Sequence, residues 1–193
     1  MGRMDYLFNN AGIAIGGEIR DLELDHWQKV IDVDLNAVFY GTMVAYKLMV
    51  KQGFGHIVNI SSIEGMMPFA ANAPYVAAKY AVLGLTQTLW LEGGYFGVNA
   101  SAVCPGYIRT PIFDNAQMIN MDREKAMSQY APIEKMGISP EQCAKRILKG
   151  VAKNKPIIPV SGLAHVVWRL SRWMPILLMK AVRKDYNKWR DNV

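Results

Sequence analysis

The feature of this chain that most constrains its fold is an alternation of short apolar strands with longer helical segments. Short strands are predicted at residues 5–8, 56–61, 98–103 and 156–160, and the second of them is rich in β-branched and apolar residues. Helical periodicity covers residues 24–51, with an expected break near Val33, and then 75–92 and 139–152. This alternation predicts an α/β fold in which helices flank a parallel sheet.

The composition is that of one globular domain. Of the 193 residues, 51% are hydrophobic and 20% are charged, which excludes a disordered chain. Cys104 and Cys143 lie in different segments without metal-type spacing, so neither a disulfide framework nor a metal site is predicted. No signal peptide or transmembrane segment is apparent, so the expected location is the cytoplasm.

Three of the predicted strands end in polar or glycine-containing motifs. These motifs occupy residues 9–12, 61–62 and 105–110. In parallel sheets, ligands bind outside the carboxyl ends of the strands. The three motifs are therefore expected to meet at one edge of the sheet and to form one site.

The middle motif, together with the helix that follows it, contains the residues best suited to catalysis. Ser62 ends a strand, and Tyr75 and Lys79 lie at positions i and i+4 of the following helix, so they share a face. A nearby ammonium favours the phenolate of a tyrosine, which allows the phenol to give and take a proton. Ser62 is placed to hold a carbonyl oxygen. A Tyr-x-x-x-Lys pair alone is more often an ordinary helix-surface contact, and the neighbouring motifs favour the chemical interpretation.

These motifs resemble those of the short-chain dehydrogenase/reductase family over residues 5 to about 160. The matching pieces are Asn-Asn-Ala-Gly at 9–12, Ile-Val-Asn-Ile-Ser-Ser at 57–62, Tyr75-x-x-x-Lys79, and Pro-Gly-Tyr-Ile-Arg-Thr at 105–110. The resemblance implies a Rossmann-like sheet and an oxidoreductase that interconverts an alcohol and a carbonyl with NAD or NADP. It implies Tyr75 as the acid/base, Lys79 as the residue that activates it and holds the nicotinamide ribose, and Ser62 as the group that orients the substrate.

The resemblance also places further residues beside the cofactor. Asn10, Ala11 and Gly12 are expected to lie along it, and Ile108 and Thr110 are expected to meet its carboxamide. The family usually has an asparagine that completes a proton relay, and Asp34 occupies that position here. Asn36 is two residues further along, on another face of the helix, and cannot replace it. An altered relay through Asp34 is therefore expected.

A second departure concerns the beginning of the chain. The Gly-rich turn that places a pyrophosphate on a helix N-terminus would precede Asn9 by three βα units, roughly 75 residues. Residues 1–5 contain nothing like it, so an N-terminally truncated form of the fold is expected, with strand 5–8 as an exposed apolar edge. The alternative is a non-catalytic fragment or membrane-surface binding module that has lost dinucleotide binding.

The last predicted segment is a helical tail at residues 161–193, after a dehydrogenase-like part at 1–160. Residues 145–193 hold 12 Lys/Arg against 2 Asp/Glu, and basic and apolar residues separate on a helical wheel that Pro175 interrupts. This pattern predicts contact with a membrane surface, and the alternative is a helix packed on its own domain or across a dimer. Nucleic-acid binding has no supporting motif.

The partner expected at the site is a small, apolar alcohol or carbonyl compound. Methionines occur in the loops that border the family's substrate site, at positions 66, 67, 118 and 121. Their flexible thioethers are suited to an adaptable apolar pocket, and core filling is the competing explanation. A homo-oligomer is expected for the complete protein.

Overall fold

A computed structural model describes residues 2–112, 114–128 and 134–190. Its main sheet contains four parallel strands, which lie side by side in chain order. The strands are β1 (Tyr6–Asn9), β3 (Gly55–Ile60), β4 (Val98–Cys104) and β6 (Ile157–Pro159), and β2 (Ile15–Gly16) pairs separately with β5 (Gln117–Met118). The helices are α1 (Leu24–Ile31), α2 (Ala37–Gln52), α3 (Ala73–Gly93), α4 (Arg123–Ser128), α5 (Pro140–Val151), α6 (Gly162–Trp173) and α7 (Pro175–Arg190).

The predicted α/β fold is confirmed, together with several of its local details. The predicted break near Val33 is a single π-helical turn, Asp32–Asn36, between α1 and α2. Helix α2 ends at Gly53, whose φ of 76° is a left-handed conformation that glycine adopts readily. Helix α5 begins with Ser139 and Gln142 in a reciprocal capping box.

The core lies on both faces of the sheet, because successive side chains of a strand point to opposite sides. Ile57 of β3 packs with Met49 and Leu89 on one face. Its neighbour Val58 packs with Val103 and a second apolar cluster on the other face. The central strands β3 and β4 are thereby fixed, and their carboxyl ends are held side by side.

Strand β1 lies at one edge of the sheet, as the sequence predicts. Its backbone pairs only with β3 among the described strands. Tyr6 and Phe8 project from the same side of this strand and are 58% and 42% exposed. The strand therefore presents both an unpaired backbone edge and an apolar face.

The predicted tail consists of the two helices α6 and α7, and residues 191–193 lie outside the described part of the chain. Proline 175 starts the second helix, as expected for its position. Helix α6 packs on the domain through Ala164 and Val167, which are buried in a cluster with Met66 and Met67. No helix in the described ranges is long and apolar enough to cross a membrane.

Candidate functional site

The π-helical turn between α1 and α2 brings Asp34 to the carboxyl end of β1. A π-helical turn inside a helix is frequently found at functional sites. The Asp34 carboxylate accepts a hydrogen bond of 2.8 Å from the backbone N–H of Ile13, just after the Asn-Asn-Ala-Gly motif. Gly12 lies so close that an added Cβ would be 3.3 Å from Asp34 Oδ2. The loop after β1 is thus packed directly on this carboxylate.

A buried ion pair joins Asp34 to helix α3. Lys79 Nζ lies 2.9 Å from Asp34 Oδ2, and their side chains are 4% and 0% exposed. Burial raises the pKa of Asp34, and the Lys79 ammonium and the Ile13 N–H oppose this rise. Lys79 also donates to the backbone oxygen of Ile60, at the end of β3, over 3.3 Å. The ammonium therefore sits where two strand ends and one helix meet.

Tyr75 is adjacent to this ammonium. Lys79 Nζ lies 5.2 Å from the centroid of the Tyr75 ring, one helical turn away on the same face of α3. The helix is held against β3 because Ser61 Oγ donates a 2.8 Å hydrogen bond to the backbone oxygen of Lys79. Gly65 allows this approach, since a Cβ there would lie 2.6 Å from the same oxygen. The contact between β3 and α3 therefore fixes the position of Tyr75 and Lys79.

Ser62 begins a short 3-10 turn, Ile63–Gly65, at the end of β3. Its hydroxyl oxygen accepts a hydrogen bond of 3.1 Å from the backbone N–H of Glu64, which leaves the hydroxyl proton available for another acceptor. The backbone N–H of Ile63, the residue after Ser62, donates a hydrogen bond of 2.7 Å to the backbone oxygen of Pro105, which follows β4. The ends of β3 and β4 are thereby tied together beside Ser62.

The remaining predicted residues lie on the loops that follow β1 and β4, at the same edge of the sheet. Asn10 and Ala11 are exposed on the loop after β1. Ile108 bridges to Ile138 and packs partly against the core. The Thr110 N–H donates to the Ile108 oxygen over 2.8 Å, which makes a tight turn after β4. Asn36 donates to Asp32 and takes no part in the Asp34 contacts.

The sequence did not single out the buried Glu64–Asn72 pair. Asn72 Nδ2 donates to Glu64 Oε2 over 2.8 Å, and both side chains are buried. Glu64 follows Ser62 by two residues, and Asn72 precedes Tyr75 by three, so this bond closes the loop between them. Burial is the main reason that the pKa of Glu64 rises from 4.5 to about 7, and the Asn72 hydrogen bond and Lys79 oppose the rise.

The raised pKa of Glu64 predicts a pH dependence of stability. Because the folded state holds its proton more tightly than the unfolded state, the free energy of unfolding should fall as the pH rises from about 4.5, and level off above about 7. The total fall attributable to Glu64 is at most about 3 kcal/mol. Urea unfolding at several pH values should show that the free energy of unfolding falls more steeply with pH in the wild type than in Glu64→Gln. The exposed Glu124→Gln should keep the wild-type slope, and an unchanged slope in Glu64→Gln would contradict the assignment.

Trp189 of α7 is a second residue that the sequence did not place at the site. A small pocket of about 30 Å³ is lined mainly by alanines and two methionines, together with Gly16, Asn72 and Trp189. The indole N–H donates to the Lys125 oxygen over 3.0 Å, and Arg190 forms a 2.9 Å ion pair with Glu18. The end of α7 is therefore held against α4 and against the segment after β2, and both β2 and α4 contribute residues to the pocket. The position of Trp189 follows from the tertiary packing of a helix that is distant in the chain, so no local sequence pattern predicts it.

Three comparisons with known proteins agree with this geometry. The profile of the short chain dehydrogenase family matches residues 1–119. The chain is 33% identical over 170 residues to D-beta-hydroxybutyrate dehydrogenase of Rhizobium meliloti (strain 1021), covering 88% of this chain and 61% of that protein. The chain therefore belongs to the short chain dehydrogenase family.

Solved structures extend the similarity to three dimensions. A short chain dehydrogenase/reductase from Burkholderia phymatum, in complex with NAD, superposes with a TM-score of 0.78 at 27% identity, over 88% of this chain and 65% of that one. A gluconate 5-dehydrogenase from Burkholderia cenocepacia J2315, in complex with NADP and tartrate, gives 0.56 at 33% identity, over 58% and 44%. The chain thus spans 44% to 65% of the length of these three proteins.

Proposed function

We propose that the protein is an oxidoreductase that interconverts an alcohol and a carbonyl with NAD or NADP as the hydride carrier. The observation that carries this proposal is the buried Asp34–Lys79 ion pair, which holds an ammonium 5.2 Å from the Tyr75 ring at the carboxyl edge of the sheet. The dehydrogenase from Rhizobium meliloti and the NAD- and NADP-bound structures support the same chemistry by their names.

The proposed proton chemistry uses four side chains. Tyr75 gives its proton to the carbonyl oxygen during reduction and takes it back from the alcohol during oxidation. Lys79 favours the ionised form of that phenol by its charge. Ser62 has a hydroxyl proton free to bind the substrate oxygen. Asp34 holds the ammonium in place and takes the position at which the family usually has an asparagine.

The loop after β1 fits a bound dinucleotide. Gly12 lets the loop backbone approach the Asp34–Lys79 pair, since a Cβ there would lie 3.3 Å from Asp34 Oδ2 and 3.4 Å from Lys79 Nζ. The Lys79 ammonium is the donor that we assign to a ribose hydroxyl. When bound, the nicotinamide supplies or accepts the hydride, which no side chain can carry. We assign Asn10, Ala11, Gly12, Tyr75, Lys79, Ile108 and Thr110 to its binding.

Titration with NADH and NADPH, followed by nicotinamide fluorescence, tests this assignment. Saturable binding of one of them is expected, and Gly12→Val should weaken it by at least tenfold, because a branched side chain there meets the ion pair. Gly84→Ala is the matched control, since a Cβ at Gly84 meets nothing within 4 Å. Absence of saturable binding would favour the alternative, a binding module without a dinucleotide site.

The substrate is proposed to be apolar. The pocket beside the site is lined by Met118, Met121 and Trp189 and by several alanines, and its polar side chain is Asn72. Because this pocket holds about 30 Å³, a substrate has to displace one of its walls. The adaptable methionine side chains and the terminal helix that carries Trp189 are suited to that.

We also propose that the protein is cytoplasmic and attaches to a membrane surface through its C-terminal helices.

We further propose that the protein is a homo-oligomer. The outer sides of α2 and α3 carry large apolar residues that other described residues do not cover. Tyr40, Val44 and Leu91 are 59%, 65% and 71% exposed, which supports contact with a second copy. Sedimentation velocity measures the oligomeric state directly.

A further inference from the structure

The corner between helices α6 and α7 exposes a cluster of large apolar side chains. Between residues 173 and 179, five side chains are both apolar and exposed. We call these five residues the apolar corner: Trp173 (85% exposed), Met174 (44%), Ile176 (64%), Leu177 (58%) and Met179 (47%). A contiguous exposed apolar patch marks a surface that binds something.

The two helices cannot turn these residues inward, because their inner faces are already occupied. Ala164 and Val167 of α6 are buried against the loop that follows Ser62. Leu178 and Val182 of α7 pack against the same cluster. The C-terminal end of α7 is fixed as well, by the Arg190–Glu18 ion pair. Exposure of the apolar corner is thus a consequence of how the helices are anchored.

The charges around the corner define what would cover it. Residues 162–190 contain seven Lys/Arg and one Asp. Arg169 and Arg172 precede the corner on α6, and Lys180, Arg183 and Lys184 follow it on α7, all of them exposed. An occupant must therefore offer an apolar interior beneath a layer of negative charge. A bilayer with anionic lipids offers both, whereas a nucleic acid has the negative charge but no aliphatic region to receive Ile176 or Leu177.

We propose that the apolar corner inserts into the interfacial region of an anionic lipid bilayer, with the flanking Lys/Arg residues on the lipid headgroups. This inference rests on the membrane-surface location already proposed and names the lipid class and the inserting residues. Helix α7 has 16 residues, a length of about 24 Å, so its two ends connect the bilayer to the Trp189 wall of the pocket. An apolar substrate dissolved in the membrane would then lie within one helix length of the site.

Co-sedimentation of the full chain with vesicles tests the proposal. Vesicles of equal parts phosphatidylcholine and phosphatidylglycerol should bind the protein, and pure phosphatidylcholine should bind it much more weakly. Leu177→Ser should lower the partition coefficient about tenfold. Leu148→Ser on α5 should leave it unchanged, and it is a matched control because the two leucines are 58% and 57% exposed.

A second pair of variants tests the charges. Lys180→Gln combined with Lys184→Gln should weaken binding to the anionic vesicles roughly thirtyfold, since each charge near such a surface is worth about a factor of five. Lys149→Gln combined with Lys153→Gln, on exposed positions of and after α5, should change it little. Unchanged melting temperatures of all variants would confirm that they fold.

Two outcomes would overturn the proposal. One is equal binding of wild type and Leu177→Ser to anionic vesicles. The other is that the protein does not bind vesicles and forms a dimer in sedimentation velocity, and that Leu177→Ser dissociates this dimer. A second copy of the chain would then cover the apolar corner. Tyr75→Phe should bind vesicles like the wild type. A negative result in the vesicle experiments would therefore not contradict the proposed oxidoreductase activity. Loss of that activity in Tyr75→Phe would likewise not contradict membrane binding.

Discussion

Replacement of Tyr75 by phenylalanine is expected to lower kcat by about 10³-fold, within the range that general acid–base groups contribute. The change removes only the phenol hydroxyl, so the proton for the carbonyl oxygen has no donor at that position. The ring stays beside Lys79 and the fold should be intact, so the melting temperature should shift little. Steady-state turnover with NADH or NADPH and a panel of apolar ketones measures the effect.

A matched control lies on the same helix. Tyr80 is 42% exposed and lies outside the proposed catalytic contacts, so Tyr80→Phe should retain wild-type turnover. Cofactor affinity should change only a few-fold in Tyr75→Phe, because the ring and Lys79 remain. Turnover of Tyr75→Phe close to the wild-type value would remove the basis for assigning this tyrosine as the acid/base.

Replacement of Lys79 by methionine is expected to destabilise the fold by about 3–5 kcal/mol, the usual effect of removing one partner of a buried ion pair. The remaining Asp34 carboxylate is 0% exposed and would keep only its hydrogen bond from the Ile13 N–H. Its desolvation is the main cause that raises its pKa, and without the ammonium the Ile13 N–H is what remains to oppose that rise. Urea unfolding of wild type and variant gives the free-energy difference.

The double variant Asp34→Asn with Lys79→Met separates this charge effect from lost packing. Replacing the carboxylate by an amide removes the unpaired charge, so most of the stability should return. Lys47→Met, at an exposed position of α2, should leave the free energy of unfolding nearly unchanged. A loss below about 1 kcal/mol in Lys79→Met would show that the ion pair is solvated in solution rather than buried.

Local sequence signals were enough to predict much of the fold. The alternation of strands and helices predicted the parallel sheet, because adjacent βα units in one chain pair in that way. The predicted helix at residues 139–152 is also present, and it begins at a capping box formed by Ser139 and Gln142. Asp34 was placed at the site by the resemblance to the family, whose usual asparagine it replaces, and the structure brings it into contact with Lys79.

The contacts that were missed depend on residues far apart in the chain or on loop conformation. Glu64 and Asn72 are separated by a loop without periodicity, so no pattern predicts that they bond. Trp189 contacts the oxygen of Lys125, 64 residues away. On one continuous helical wheel the apolar residues of the tail share a face, but Pro175 restarts the helix, so that Val167 is buried and Met174 is exposed.

The most direct measurement of the proposed function follows a labelled hydride. The protein is incubated with NADH or NADPH that carries deuterium at the transferable position of the nicotinamide, together with an apolar ketone. The proposal predicts an alcohol product that carries the deuterium on the former carbonyl carbon, formed by the wild type and reduced about 10³-fold in Tyr75→Phe. Saturable cofactor binding without any transfer of deuterium, or equal transfer by both proteins, would contradict it.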